Sequence, residues 1–354
     1  MFIENWNEIQ KHTEAFWNQD YYERCSISMR GPKEIITPMP DYGLSLKEQY
    51  TNPDYLFEKA MNRIGNMNFY GEAIPTASID FGPAGHAAYF GAVPEYGSSI
   101  WYETGIDEDD IAQVKYQDQF FQEHLQIVKR LGELSKGKIL MAMPDNCGIV
   151  DALALIRGND NLLIDMIDNP EFVSEAIPKI IDVWKKTQDV FFDTLKENSY
   201  GGSTHDWMQI WCPKRHAQIQ CDYSAMISPA MYEEFVLPEL IETSKFLDQT
   251  TYHLDGQEQI RHLDIILSVD TITNIQWTPV AGQPRTSEFI PVLRKIQESG
   301  KGLILLPEVD EVPAIVDNLS HKGLHLMIEK GITSKQIADD ILNYATKAAK
   351  YGKL

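Results

Sequence analysis

Short apolar runs alternate with longer amphipathic stretches from about residue 74 to the end of the chain, the rhythm of a parallel sheet whose strands are separated by covering helices. Strands are predicted at residues 74–80, 139–145, 203–211, 218–222, 250–255, 272–277, 303–308 and 324–329, with weaker signals at 25–29 and 98–102. Helix ends carry their own chemistry. Asn169-Pro170 and Ser228-Pro229 each place a capping side chain before a proline suited to the first helical position, and Thr333 and Gln336 have capping-box spacing. Gly158 and Gly300 read as residues that close helices.

Residues two apart on a strand share a face. That parity collects a polar set: Thr76, Ser78 and Asp80; His205, Trp207, Gln209 and Trp211; Gln218, Gln220 and Asp222; His253 and Asp255; Asn274 and Gln276. The opposite set is apolar: Ala77, Ile79, Met208, Ile210, Ile219, Cys221, Tyr252, Leu254, Ile275 and Trp277. The apolar face must meet the helices, so the polar face lines the interior. The architecture predicted is α/β, a (β/α)8 TIM barrel over residues 71–354, preceded by an irregular N-terminal extension, residues 1–70, that covers the barrel and includes a helix at 53–67. More than eight strand candidates mean that at least two lie outside the barrel.

Composition narrows the partners. Of 354 residues, 43% are hydrophobic, enough for a large core, and the 52 acidic against 31 basic side chains leave a net charge of −21. Such a surface repels phosphate backbones and anionic lipid, so neither nucleic acid nor membrane is an expected partner, and a small-molecule substrate is. The polar N-terminus and the lack of a run of roughly 20 apolar residues give a cytoplasmic expectation. Cys25, Cys147, Cys212 and Cys221 are widely spaced without a Cys-x-x-Cys motif, which favours buried thiols, although Cys147 follows a strand and stands where it reaches the mouth.

The acids fall at the C-terminal ends of predicted strands: Asp80, Asp145, Asp222, Asp255, Glu308 and Glu329. Barrel enzymes build their sites at that end. His253-Leu254-Asp255-Gly256 is the sharpest local signal, with histidine and aspartate on one face and a glycine that lets the chain turn close by. The pair serves as a general acid and base, as two ligands of a metal site completed by Glu308, or as a hydrogen-bonded pair in a polar core. Asp222 and Asp80 are candidates for positioning or protonating a substrate, and Asp145 joins them at the mouth. Trp207, Trp211, Tyr223 and Trp277 are candidate walls of a flat pocket, with Gln276 beside them. Several carboxylates at one mouth cannot all ionise freely, so at least one of Asp80, Asp222, Asp255 and Glu308 is expected to titrate high unless a cation is bound. No Walker sequence and no Gly-x-Gly-x-x-Gly follows a strand, which disfavours nucleotide chemistry.

The run Cys221-Asp222-Tyr223-Ser224-Ala225-Met226-Ile227-Ser228-Pro229-Ala230-Met231-Tyr232-Glu233-Glu234-Phe235-Val236-Leu237-Pro238 resembles the "D...ISPxMFxxFVLP" stretch of the uroporphyrinogen decarboxylase superfamily, which includes methylcobamide-dependent methyltransferases. His253-Leu254-Asp255-Gly256, Asn274-Ile275-Gln276-Trp277 and residues 152–165, followed by Asn169-Pro170-Glu171, are similar to further stretches of it. The resemblance implies a barrel enzyme that exchanges a methyl group with a corrinoid, often carried on a separate protein, and a homodimer is compatible with it. The paired arginines with which true decarboxylases hold tetrapyrrole carboxylates have no counterpart beyond Ser28-Met29-Arg30-Gly31-Pro32-Lys33. The methyltransferase branch is implied over the decarboxylase. That branch binds zinc through His-x-Cys and a later Cys, and this chain has His253-Leu254-Asp255 and Glu308 near those places. Carboxylates in place of thiolates make a harder site for a divalent metal such as zinc. Decarboxylation of a tetrapyrrole-like or smaller carboxylated substrate is the second enzymatic reading. A barrel that holds a ligand without turning it over is the third reading.

Overall fold

The computed structural model describes residues 3, 5–106, 109–146 and 148–351. Cys147 lies outside the described residues. The chain starts with α1 (Trp6–Trp17), β1 (Ser26–Pro32), α2 (Leu46–Thr51), α3 (Pro53–Gly65), β2 (Met67–Gly71) and β3 (Thr76–Ala77). There follow β4 (Val93–Tyr96), β5 (Ile100–Glu103), α4 (Asp118–Ser135), β6 (Leu140–Met141), α5 (Ile149–Arg157), α6 (Asn159–Asp168) and α7 (Pro170–Leu195). The middle of the chain supplies β7 (Ser203–His205), β8 (Ile210–Cys212), β9 (His216–Ile219), α8 (Pro229–Met231), α9 (Leu237–Phe246) and β10 (Gln249–Asp255). It ends with α10 (Leu263–Leu267), β11 (Asn274–Thr278), α11 (Ile290–Glu298), β12 (Gly302–Leu305), α12 (Val312–Asn318), β13 (Leu324–Ile328) and α13 (Lys335–Tyr351).

A seven-stranded sheet in the order β2-β1-β13-β12-β11-β10-β9 forms the centre, parallel throughout except where β2 runs against β1. β3 and β6 pair in parallel, while β4 with β5 and β7 with β8 form antiparallel ribbons. The fold is mixed α/β with a central parallel sheet. Its hydrogen bonding does not run as one closed eight-stranded ladder among the described residues.

Every predicted strand position carries a strand, but residues 203–211 are not one strand. The chain reverses between β7 and β8, with Gln209 at φ 49°, and the two halves pair as a hairpin. A strand-long parity cannot cross such a turn, so Met208 and Ile210, assigned to the helix side, instead cluster with Phe16, Trp17, Cys212, Ile304 and Met327. The N-terminal segment is not irregular either. Trp6, Ile9, Thr13, Phe16 and Trp17 are buried at three- and four-residue spacing, which makes α1 an amphipathic helix. β1 and β2 belong to the central sheet itself.

The caps follow the sequence at two of three places. Asn169 accepts from the Phe172 N–H and Ser228 from the Met231 N–H. At α13 the hydroxyl that accepts from the Ile337 N–H belongs to Ser334, one residue after Thr333. Gly158 and Gly300 both have positive φ where helices end.

Parity holds on the parallel strands. Ile219, Tyr252, Leu254, Ile275, Trp277, Leu303, Leu305, Leu324 and Leu326 join one large core with the helices. The other face bears buried polar groups that pair with one another: His216 with Thr251 (2.8 Å) and His325 with Ser26 (2.8 Å), and Ser28 donates to the Gln209 carbonyl (2.9 Å). Beside it Glu72 accepts from Arg24 at 2.8 and 2.9 Å and from the Ile27 N–H, tying the end of β2 to the start of β1. No described helix is long and apolar enough to cross a membrane.

Burial holds several histidines neutral. His205 and His325 are each pushed down to about 4, and His86 and His124 to about 3, from an ordinary 6.5, because burial penalises the charged ring. A group with a depressed folded value gives its full stabilisation above its unfolded value and loses it as the pH falls. Each histidine therefore withdraws on the order of 2–3 kcal/mol between pH 6.5 and about 4. The urea midpoint should drop steeply over that window, and His325→Gln should make the drop shallower; an unchanged slope in that variant removes His325 from the cause.

Candidate functional site

The site grows from the C-terminal ends of β9, β10 and β11. Alternation sends Gln218, then Gln220 and Asp222 beyond the strand end, to the same face as Thr251, His253 and Asp255 of β10 and Gln276 of β11. In register, His253 lies opposite Gln276 and Asp255 opposite Thr278. One ligand atom from each of Asp222, His253 and Asp255 lies within 4.8 Å of the others. His253 is held from behind. Gln276 donates through Nε2 to the Thr278 hydroxyl (2.6 Å), which turns its Oε1 to His253 Nδ1, so Nδ1 carries the proton and Nε2 keeps the ring's lone pair.

Amide side chains connect this triad to its neighbours. Gln218 donates to Asp145 (2.6 Å), Gln220 to Asp222 (2.8 Å) and Gln259 to the other Asp222 oxygen (3.4 Å). Trp207 sets its ring edge against His253, with centroids 5.2 Å apart. The same tryptophan lines a 250 Å³ cavity together with Asp80, Asp145, Asp206 and His205. A second cavity of 420 Å³ opens over the ends of β11, β12 and β13, lined by Thr278, Arg285, Glu308, Glu329 and Lys330 among others.

Asp222 is open to solvent, yet the groups packed around its carboxylate strip enough water to raise its pKa. The nearby Asp255 adds to the rise and His253 opposes it. Asp151 is also pushed up, by burial and by Asp222, although two main-chain N–H groups favour its charged form. Glu239 is driven well up by burial and by Asp151. These are the high-titrating acids of the region.

The sequence candidates separate. Asp222, His253 and Asp255 come together, with Gln276 directly behind; Asp80 and Asp145 line the adjoining cavity. The third group within ligand reach of His253 and Asp255 is Asp222 rather than Glu308. Glu308 faces Arg285 at 3.5 Å and Lys330 at 3.6 Å, and its backbone is bound by Glu311, so cations of the loops after β11 and β13 already claim it. Glu329 accepts from Gln209 (2.8 Å) on the same rim. Trp277 is fully buried in the helix-side core against Phe289. Trp211 packs beneath Trp6 and donates to the Ser199 carbonyl (2.7 Å), because the hairpin carries it away from the strand parity. Tyr223 is buried and donates to the Asn159 carbonyl (2.6 Å). Cys25, Cys212 and Cys221 are buried free thiols, with Cys25 pushed up to about 12 by burial.

Sequence reasoning missed Asp151, Asp206 and Gln259. The signal for Asp151 was a lone carboxylate within the apolar run 149–156. Asp206 sits in the hairpin turn, held by buried Arg30 at 2.9 Å and by the more exposed Arg63 at 2.9 Å, and it forms one wall of the Trp207 cavity.

No protein-family model matches the chain, and no curated protein matches it either. Among solved structures, a methyltransferase from Methanosarcina mazei superposes with a TM-score of 0.60 over 96% of this chain and 98% of that one. The two share a fold. Their identity is 10%, so the likeness concerns architecture alone.

The wall of the Trp207 cavity depends on Arg30, whose side chain is 2% exposed, more than on Arg63 at 39%. Arg30→Met strips a buried partner from Asp206 and should cost about 3 kcal/mol, the low end for breaking a buried pair, since Arg63 remains. Arg63→Met should cost about 1 kcal/mol or less. Urea unfolding checks the order, and equal losses would mean that the burial difference does not govern this pair.

Proposed function

We propose that the protein is a methyl-transferring enzyme whose Asp222, His253 and Asp255 hold a divalent cation. The observation that carries this reading is the convergence of three ligand-type side chains, from β10 and from the turn after β9, at the C-terminal edge of a parallel sheet. The fold shared with a methyltransferase supports it, as does the likeness of residues 221–238 to the methyltransferase-bearing superfamily. We read the separate ladders as staves of one (β/α)8 barrel. Support comes from the Met143 N–H donating to the Thr204 carbonyl (2.9 Å) between the β6 and β7 segments, and from the His205 ring meeting the His216 carbonyl (3.2 Å) between β7 and β9.

One nitrogen and two carboxylate donors suit a hard or borderline ion such as Zn²⁺, Mn²⁺ or Co²⁺. Such an ion, when bound, acts as a Lewis acid that ionises an acceptor or water. Gln276 keeps the His253 lone pair available, and Gln220 and Gln259 steer the Asp222 carboxylate. Asp80, Asp145 and Trp207 contact the rest of the substrate from the adjoining cavity. In this reading the methyl group is exchanged with a corrinoid presented by a partner protein at the open mouth. Tetrapyrrole decarboxylation is the weaker reading, since Arg30, the arginine nearest the place of the carboxylate-holding pair, is committed to Asp206.

Protein purified without chelators should carry close to stoichiometric metal by elemental analysis, and adding Mn²⁺ or Zn²⁺ to stripped protein should release protons. His253→Ala should lose the metal while melting within a few degrees of wild type, since water can replace the ring at a partly open position. Methylcobalamin absorbance should change on turnover with methyl acceptors. Metal-free protein indifferent to all three ions would remove the cation from the proposal, and binding without any cobalamin change would point to a ligand-holding protein.

A further inference from the structure

The last ladder pair between β9 and β10 is Ile219 with Tyr252, so Asp222 lies three residues beyond any sheet support. The side chains that meet its carboxylate, Gln220 and Gln259, are long and jointed. Something else must fix the main chain from which Asp222 projects.

Asp151, in the first turn of α5, does this. One of its carboxylate oxygens accepts from the Asp222 N–H at 3.0 Å and the other from the Tyr223 N–H at 2.9 Å. Asp151 is in turn set by its own helix. Glu239 of α9 binds the first N–H groups of α5, those of Ile149 at 3.1 Å and Val150 at 2.9 Å. Among the described residues neither Asp151 nor Glu239 is paired with a lysine or arginine. Two carboxylates are thus kept away from countercharge: Glu239 binds main-chain donors, and Asp151 binds the two main-chain donors together with the Gln220 side chain, which also meets the Asp222 carboxylate. A second tie joins the same segments, from the Tyr223 hydroxyl to the Asn159 carbonyl at 2.6 Å. Gly148 leaves the room this clamp needs: its φ is +78°, and a Cβ there would stand 2.2 Å from Asp151 Oδ2.

We propose that Asp151 is the positioning residue of the Asp222–His253–Asp255 site, its paired oxygens fixing the turn that aims Asp222 at the other two groups. The inference rests on the reading of that triad as a cation site. Asp151 does not touch the cation; it acts through the main chain of Asp222. A bidentate acceptor is required, because asparagine offers one acceptor and turns an N–H₂ toward the second N–H.

The test compares Mn²⁺ affinity, by calorimetry on the full chain, for wild type, Asp151→Asn, Gly148→Ala and Glu72→Gln. The last breaks the distant Arg24 pair and serves as a control for lost stability. Asp151→Asn should weaken Mn²⁺ binding roughly 10- to 100-fold, the usual cost of losing a group that orients a ligand. Gly148→Ala, which displaces the Asp151 carboxylate, should weaken it in the same direction, while Glu72→Gln lowers the melting temperature and leaves the affinity unchanged. Hydrogen exchange supplies a reading that needs no variant to fold: in metal-free wild type the Asp222 and Tyr223 amides should already be protected. Unprotected amides, or wild-type affinity in Asp151→Asn, would overturn the inference and leave the cation reading standing. Wild type that binds neither Mn²⁺ nor Zn²⁺ would overturn both.

Discussion

Alternation along the parallel strands, with one face surrendered to the helices, is the constraint on which the rest of the molecule depends. Tyr252, Leu254, Ile275 and Trp277 enter the helix-side core, so Thr251, His253, Asp255 and Gln276 are sent to the other face. Polar groups on a buried face cost free energy unless each finds a partner. Near the N-terminal ends of the strands the partners are mutual, as in His216 with Thr251 and His325 with Ser26, and α1 closes over them. Toward the C-terminal ends the cover gives way to cavities. There the same face ends in Asp222, His253 and Asp255, three groups close together with solvent at hand.

Much of this was legible because it is local. Strand positions follow from short apolar runs, and the caps at Asn169 and Ser228 follow from a capping side chain before proline. His253 and Asp255 were readable as a pair since only the two-residue period is needed to place them together. What failed to read required knowledge of turns or of distant partners. A single left-handed residue, Gln209, turned one predicted strand into a hairpin and carried Trp211 beneath Trp6. Glu308 lies three residues past the end of its strand at Leu305, where Arg285 and Lys330, from loops whose course no periodicity records, hold it. Asp222 entered the triad through a turn beyond β9 that is fixed by an acid on another helix, a relation with no signature in spacing.

Charge is distributed accordingly. A chain with 21 excess negative charges places several acids where cations already meet them, as Arg24 meets Glu72 and Arg30 meets Asp206. Asp151 and Glu239 are met instead by main-chain N–H groups, joined at Asp151 by the Gln220 amide. Asp222 and Asp255 are left facing each other across His253. That is a costly arrangement in isolation, and it gives the triad an electrostatic preference for positive charge that no single residue would create.

The pairing of β1 with β13 joins residues almost 300 positions apart, Ser26 with His325. During synthesis β1 emerges almost 300 residues before this partner, so the edge that β13 will cover stays bare while the intervening sheet and helices are being made. Contacts of such sequence separation are slow to form and leave aggregation-prone edges exposed meanwhile. α1 and the hairpin that pack on the same face share this delay, because Phe16 and Met208 rest on Ile304 and Met327 from the last two strands. The polar face that carries the triad is therefore completed only after β13 has been made, and the loss of that strand would reopen it beside β1.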